Sequence, residues 1–411
     1  MLHQRFEVQR HLGQLYVARQ SGLLPSPCPG EALLHMVACG ICGADIRVNT
    51  GNKSISGDPA RYITPGHEGI GRIVALGNNI PGLQPGDYVV ILPHIHNSTG
   101  ATQCTAPRIH PGCIGRGHTL HMGWDIDGCF ADFVAVPATN LVRVSETHLR
   151  TVASQTPELR EAIFALVEPM LCTLSAYELI QMHLQRDLPP GRALVVGCGP
   201  IGILHALTLL ERGFEVWLTD TFQKRAKLAQ WCLGNRTRIF DPTTQNMTFD
   251  LAMVTASSAE AIKTGESFVS NGGIVYLFAG LNTPDRTKMD SENIFFYEPV
   301  HRKACGLLTI SHTTHESKSV LYLGHSGYFE DLASVAIAAV AANAATLDLA
   351  VTGIIPGFAE ARIVSRLPGG VDWVTEDGSP AILSVLKGTD LRERHCKLLV
   401  LPCAENGLYT F

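Results

Sequence analysis

Cys42, His67 and Glu168 stand far apart in the chain, and each carries a side chain that binds a borderline metal such as zinc. Three protein ligands with one position left open suit metal-dependent catalysis, because substrate or water must take the fourth place. Their surroundings sharpen the signal: Cys42 lies in CGICGAD, His67 in GHE with Gly71 and Gly77 beyond it, and Glu168 in an Glu-Pro step before the chain changes character. A second group of residues suits a dinucleotide. Gly197, Cys198, Gly199, Pro200, Ile201 and Gly202 form GxGxxG between an apolar run and a helical one, so amides at a helix N-terminus can receive a pyrophosphate. Asp220 ends the next apolar run 23 residues after Gly197, where a carboxylate accepts hydrogen bonds from both ribose hydroxyls of NAD and repels a 2′-phosphate. Lys224 and Arg225 follow and soften that repulsion, so NAD is expected ahead of NADP. Packing alone accounts for any one of these signals, since glycines allow close helix-to-strand contact and a buried His or Glu can be a satisfied polar pair.

The elements that must hold these residues fall into two kinds. From about Gln14 to Val144 short β-type runs (LYVA, LLHMVA, GRIVALG, DYVVILP, FADFVAV, LVRV) alternate with Gly, Pro and Asn turns, which predicts an all-β domain. Past Leu188-Pro189-Pro190-Gly191 the pattern becomes strand, helix, strand: ALVVG, an apolar helix to about Leu210, EVWLTD, then FQKRAKLAQWCLG. LAMVTAS, GIVYLFAG and GLLTI continue at the spacing of buried parallel strands, so this half is predicted to be a doubly wound α/β domain. After about Ser311 the chain is Ala-rich and helical, and HCKLLVLP is expected to be a last strand.

The 411 residues suggest two or three domains, and 45% apolar against 17% charged residues supports buried cores. Lys and Arg number 32 against 37 Asp and Glu, a net charge of −5 with no basic stripe, which argues against nucleic acid. The N-terminus lacks an apolar signal core, so a cytoplasmic location is expected, and the apolar window Ala193–Leu210 is broken by Gly197, Gly199, Pro200, Gly202 and His205, so it reads as strand, turn and helix and no membrane partner is expected. Twelve cysteines without an export signal point to reduced thiols and metal ligands. Only the group Cys39, Cys42, Cys104, Cys113 and Cys129 is clustered enough to test as metal chemistry.

GHEGIGRIVALGNNI, with CGICGAD before it and VEPMLCTLSAYE after it, resembles the zinc-containing medium-chain alcohol and polyol dehydrogenases. The resemblance spans most of the chain. It implies an α/β plus β architecture, with residues 1–169 and 316–411 in a GroES-like β-barrel catalytic domain and residues 170–315 in a Rossmann NAD-binding domain. It implies Zn2+ held by Cys42, His67 and Glu168, Glu68 beside the metal, and Asp45 orienting His67. Glu168 stands where sorbitol- and threonine-type members carry glutamate, which points to a secondary alcohol or ketone of a polyol, sugar, cyclitol or amino alcohol, with NAD(H) exchanging the hydride. Cys39 reads as a packed strand residue. A homo-oligomer, dimer or tetramer, is expected.

Two departures from the family pattern stand out. Ala44 replaces the usual Ser or Thr that starts a proton relay, and Arg47 replaces the histidine often found three positions on. Arg47 is readable as a group for an anionic substrate or the pyrophosphate, or as a solvated surface residue. The four-cysteine structural zinc lobe retains only Cys104 and Cys113, while five of the 17 histidines fall between His94 and His121, consistent with a mixed His and Cys site or a His-rich flap. Competing readings are a zinc-free NAD(P)H reductase of the same fold and a catalytically weak NAD-binding regulator.

Overall fold

The computed structural model describes residues 2–11, 14–50, 63–96, 119–185, 187–279, 310–313, 318–325, 327–358, 360–386 and 397–401. In chain order it begins with β1 (Leu2–His11), β2 (Gln14–Leu23), β3 (Glu31–Gly40), the short α1 (Gly43–Asn49), β4 (Glu68–Leu76), β5 (Tyr88–Ile91), β6 (His94–His96), β7 (Thr119–His121), β8 (Phe133–Pro137), β9 (Leu141–Arg143) and α2 (Glu146–Gln155). The α/β half follows: α3 (Val167–Leu184), β10 (Arg192–Val196), α4 (Pro200–Glu211), β11 (Glu215–Thr219), α5 (Gln223–Leu233), β12 (Thr237–Ile239), β13 (Phe249–Val254), α6 (Ala259–Phe268), β14 (Val269–Leu277), β15 (Ile310–Thr313) and β16 (Ser319–Gly324). The chain ends with α7 (Ala333–Ala342), α8 (Ala344–Ala350), β17 (Val351–Ile355), β18 (Arg362–Ser365), β19 (Trp373–Val374), α9 (Ala381–Leu386) and β20 (Lys397–Val400).

The described residues form two compact units. The first takes the residues up to His96, Thr119–Glu168 and those from Ala333 on; the second takes Pro169–Leu332. The run Arg160–Leu184 has the length and apolarity of a membrane span, yet 89% of its most apolar window is buried inside the fold, so it is a core helix.

In the first unit the strands run in the order β19-β18-β17-β20-β3-β4-β5-β9, with β8 also on β3. EALLHMVACG is almost continuously apolar because β3 is covered all round: β4 pairs with it from Ala32↔Leu76 to Gly40↔Glu68, β8 from Glu31↔Pro137 to His35↔Phe133, and β20 at Leu399↔Gly40 and Val400↔Cys39. Leu34, Met36, Ile73, Val89, Phe130 and Ile382 form the core over this sheet. That register brings the end of β3, the start of β4 and β20 to one place, two residues before Cys42.

The second unit is a seven-stranded sheet in the order β12-β11-β10-β13-β14-β16-β15, parallel except for β15 at the edge. The chain leaves β10 first for β11 and later for β13 on its other side, so the ends of β10 and β13 flank a topological switch point, the usual place for a ligand in such sheets. The unit runs past residue 315 to Leu332, because SVLYLG is the sixth parallel strand: Ile274↔Leu321 to Leu277↔Gly324 join it to β14. This strand carries no clear signal in the sequence, and the change of domain expected at residue 315 falls ahead of it. GLLTI lies almost wholly outside the described residues, as do Cys104, Cys113 and the body of the lobe between them.

Candidate metal centre and nucleotide-binding turn

Cys42 is the residue before α1, and the helix start fixes it from both sides. Its amide donates to Asp45 Oδ2 at 2.9 Å, and its Sγ accepts from the Ala44 amide at 3.4 Å, the reciprocal pattern of a capping box with a thiol in the capping place. His67 is the last residue before β4. The turn that delivers it needs glycine at 66, where φ is +95° and a β-carbon would stand 2.7 Å from the Phe130 ring. Asp45, fully buried, then faces His67 Nδ1 at 3.3 Å, so the second nitrogen, Nε2, is the one left for a metal.

Glu68 is the first residue of β4 and only 2% exposed. Its Oε2 forms an ion pair with Lys397 of β20, whose Nζ also donates to the Ile41 carbonyl at 3.1 Å. Glycine at 40 makes this possible, since a β-carbon there would collide with the Glu68 carboxylate and the Lys397 side chain. Ligand atoms of Cys42, His67 and Glu68 all lie within 4.8 Å of one another, and among the described residues this is the group of donors that converges on one point. Thiolate, imidazole and carboxylate are the donor types zinc takes in open catalytic sites, so the residues fit the metal. The converging carboxylate is Glu68, expected beside the metal; Glu168, in the first turn of α3 and 9% exposed, is not one of the three.

Burial works to lower the pKa of His67, but the charges of Asp45 and Cys42 outweigh it and hold the imidazole well above its ordinary value. Lys397 follows the same logic: burial lowers it, while Glu68, Cys42 and Asp45 raise it beyond the usual lysine range.

Two rings stand beside His67. His121 and Trp124 are stacked at 3.6 Å between centroids and 8° between planes, and they lie 5.3 and 5.2 Å from the His67 ring. Their turn is tied by His121 N donating to Asp125 Oδ2 and Asp125 N donating to the His121 carbonyl, both at 2.8 Å. It seats on the Pro65-Gly66 backbone, which a β-carbon at Gly123 or Gly128 would strike. His94 pairs with His121 across β6 and β7, with its ring 4.7 Å away. Both histidines are buried, and neither belongs to the converging donor group. Ala44 is buried and Arg47 is in the last turn of α1.

In the second unit, β10 runs into Gly197 at φ +103°, and α4 begins at Pro200 with Gly199 as its capping residue. A β-carbon at Gly197 would stand 2.8 Å from the Ala256 amide nitrogen, and one at Gly202 would strike the Gly197 carbonyl; at Gly199 it would meet nothing within 4 Å. The outer glycines are thus needed by the fold, while Gly199 leaves its backbone open to an approaching pyrophosphate. Ile201 follows in the first turn of α4. Asp220 sits where β11 ends. Its Oδ2 accepts from the Cys198 amide at 2.8 Å and its Oδ1 from the Phe222 amide at 2.9 Å, so the acid ties the glycine turn to the neighbouring strand. Arg225 lies in the first turn of α5.

Lys397 was missed in the sequence. The signal was a lysine opening an otherwise apolar strand, KLLV. The His121 and Trp124 pair was missed too, because nothing local in LHMGWD says which ring it faces.

Residues 28–146 match the model of the alcohol dehydrogenase GroES-like domain. The chain is 30% identical over 262 residues to the D-altritol 5-dehydrogenase of Agrobacterium fabrum, covering 62% of this chain and 71% of that protein. It is 29% identical over 289 residues to an L-threonine 3-dehydrogenase of Ruegeria pomeroyi, covering 66% and 76%. In fold it is similar to the glucose dehydrogenase of Haloferax mediterranei, solved in complex with NADP, Zn and gluconolactone, with a TM-score of 0.66 at 16% identity over 97% of this chain and 99% of that one. At 30% identity over 71% of the D-altritol 5-dehydrogenase, the sequence itself decides the membership: the chain belongs to the zinc-containing medium-chain alcohol and polyol dehydrogenase family.

Proposed function

We propose that this protein is a zinc-dependent, NAD(P)-linked dehydrogenase that oxidises a secondary alcohol of a polyol, sugar, cyclitol or amino alcohol, or reduces the matching ketone. The convergence of Cys42, His67 and Glu68 carries the reading, because a thiol, an imidazole and a carboxylate within 4.8 Å of one another are the donor types of an open zinc site. When bound, zinc supplies a Lewis acid for the substrate oxygen and NAD(P) the hydride acceptor. Cys42, His67 and Glu68 hold the metal, and Asp45 keeps His67 in the tautomer that presents Nε2. Lys397 pairs with Glu68 and aims it. His121 and Trp124 wall the His67 side, where a flat polar surface suits a hydroxylated carbon chain.

Gly199 lets the pyrophosphate approach the helix N-terminus, and Asp220 favours NAD over NADP by charge. With Ala44 in place of a hydroxyl, the alcohol proton leaves by water or by another side chain. D-altritol 5-dehydrogenase and L-threonine 3-dehydrogenase among the relatives make polyols and amino alcohols the first substrates to try. The test is a screen of polyols, sugars, sugar acids and amino alcohols with zinc-loaded protein, reading NADH or NADPH absorbance. Turnover that vanishes in Cys42→Ser and returns in no zinc concentration supports the reading; activity retained in Cys42→Ser and His67→Ala without bound zinc overturns it.

A further inference from the structure

Cys39 and Cys129 lie 90 residues apart in sequence, both fully buried, with their sulfurs 2.7 Å from each other. Cys39 is paired on both sides along the backbone, with Gly69 of β4 and Val400 of β20, so Cys129 meets it side chain to side chain, from the bend that precedes β8. Sulfurs this close need only a small further approach to reach the S–S bond length of about 2.05 Å. The Cys129 amide donates to the Gly66 carbonyl at 3.0 Å, so the Cys129 backbone is anchored to the turn that carries His67. On the neighbouring strand Cys39 faces Gly69, where a β-carbon would come within 3.1 Å of the Cys129 sulfur. Glycine there leaves the room the second sulfur occupies.

We propose that Cys39 and Cys129 are a redox modification site, closing as a disulfide that staples β3 to the segment bearing His121 and Trp124. The oxidant is a small peroxide, which reaches a site closed to bulky disulfides. One thiolate attacks the peroxide O–O bond, becoming a sulfenic acid as one oxygen leaves as water. The other sulfur attacks that sulfenic sulfur, the S–S bond forms, and the second oxygen leaves as water. In balance, two thiols and one hydrogen peroxide give one disulfide and two waters, with sulfur oxidised and peroxide oxygen reduced. Burial, then the hydrogen bond to Cys129, pushes the Cys39 thiol well above its ordinary range, so the pair is slow to react and closure follows brief openings of the Cys129 segment. Because the sulfurs already touch, closure leaves the backbone in place and makes the site more rigid.

The test uses the full-length zinc-loaded protein, treated with hydrogen peroxide, denatured, alkylated and mapped as peptides by mass. The expected result is a Cys39–Cys129 linked peptide lighter by two hydrogens, released by reductant, with Cys39 alkylatable in Cys129→Ala. The oxidised wild type is expected to melt higher than the reduced form and to lose zinc to a chelator several-fold more slowly, with neither difference in Cys129→Ala. Complete alkylation of both residues after peroxide overturns the proposal, as does a link from Cys39 to Cys42 or an unchanged melting temperature in protein shown to be linked. Peptide mapping does not depend on turnover, so its outcome is separate from that of the dehydrogenase reading.

Discussion

Replacing Lys397 with methionine removes the cation that balances Glu68 while keeping most of the side-chain volume. The two groups are 3% and 2% exposed, so in metal-free protein the substitution leaves a carboxylate buried without its partner. Breaking such a pair costs about 3–5 kcal/mol. In loaded protein the zinc charge takes over the compensation, and the loss falls to about 1–2 kcal/mol for the hydrogen bonds to Glu68 and the Ile41 carbonyl. The difference, roughly 2 kcal/mol, must reappear by linkage as tighter zinc binding, by about thirtyfold. Denaturant unfolding of chelated and loaded protein measures the two losses, and competition with a chromophoric chelator measures the affinity. The double substitution Lys397→Met with Glu68→Leu restores most of the metal-free stability, because an apolar pair of similar volume replaces a buried ion pair at little cost, and it binds zinc weakly. Equal losses with and without zinc would refute the reasoning, since they would mean that Glu68 faces Lys397 alone.

Zinc must displace the proton that Asp45 and Cys42 hold on His67. The raised folded pKa gives metal-free protein stability that is present below the unfolded value near 6.5 and lost as pH rises through the folded one, so the melting-temperature gain on adding zinc should grow from about pH 6 to pH 9; a gain independent of pH would remove His67 from the ligands. Gly199→Val should weaken NAD binding with little change in stability, whereas Gly197→Ala, at φ +103°, should destabilise the fold itself by about 1 kcal/mol or more, as calorimetry with and without NAD would show. Asp220→Ser should relax discrimination against NADP and also lower stability by about 1–2 kcal/mol, because two amides lose their acceptor; unchanged NAD to NADP affinity ratios would take the residue out of the ribose site. Ala44→Ser should leave zinc and NAD affinity unchanged and raise alcohol oxidation near neutral pH by about tenfold or more, and an unchanged rate under rate-limiting chemistry would take position 44 out of proton transfer.

The placement of Cys42, Asp45 and His67 was legible in the sequence because it is made locally: the thiol and Asp45 cap one short helix, and Gly66 turns the chain into His67. The glycine turn and Asp220 were legible for the same reason, as strand, turn, helix and next strand follow within one unit of the fold. The sheet came through in its alternation and apolar runs. Its last parallel strand did not, since SVLYLG emerges from a polar stretch that resembles a loop and only its pairing with β14 makes it a strand.

What local pattern cannot carry is the choice between two glutamates. Glu68 and Glu168 both sit beside helix or strand ends with suitable chemistry, and sequence spacing does not rank them. The convergence of Glu68 comes from register: Gly40 lies opposite Glu68 on β4 and opposite Leu399 on β20, which sets Glu68, Lys397 and the β3 end in one place. Shift β4 by one residue and the carboxylate turns to the other face, because side chains alternate with a period of two. Cys39, one residue back along β3, meets Cys129 from the segment ahead of β8. A metal donor set and a thiol pair are therefore products of one central strand, and a substitution that slips β3 would disperse both at once while leaving CGICGAD and GHE intact in the sequence.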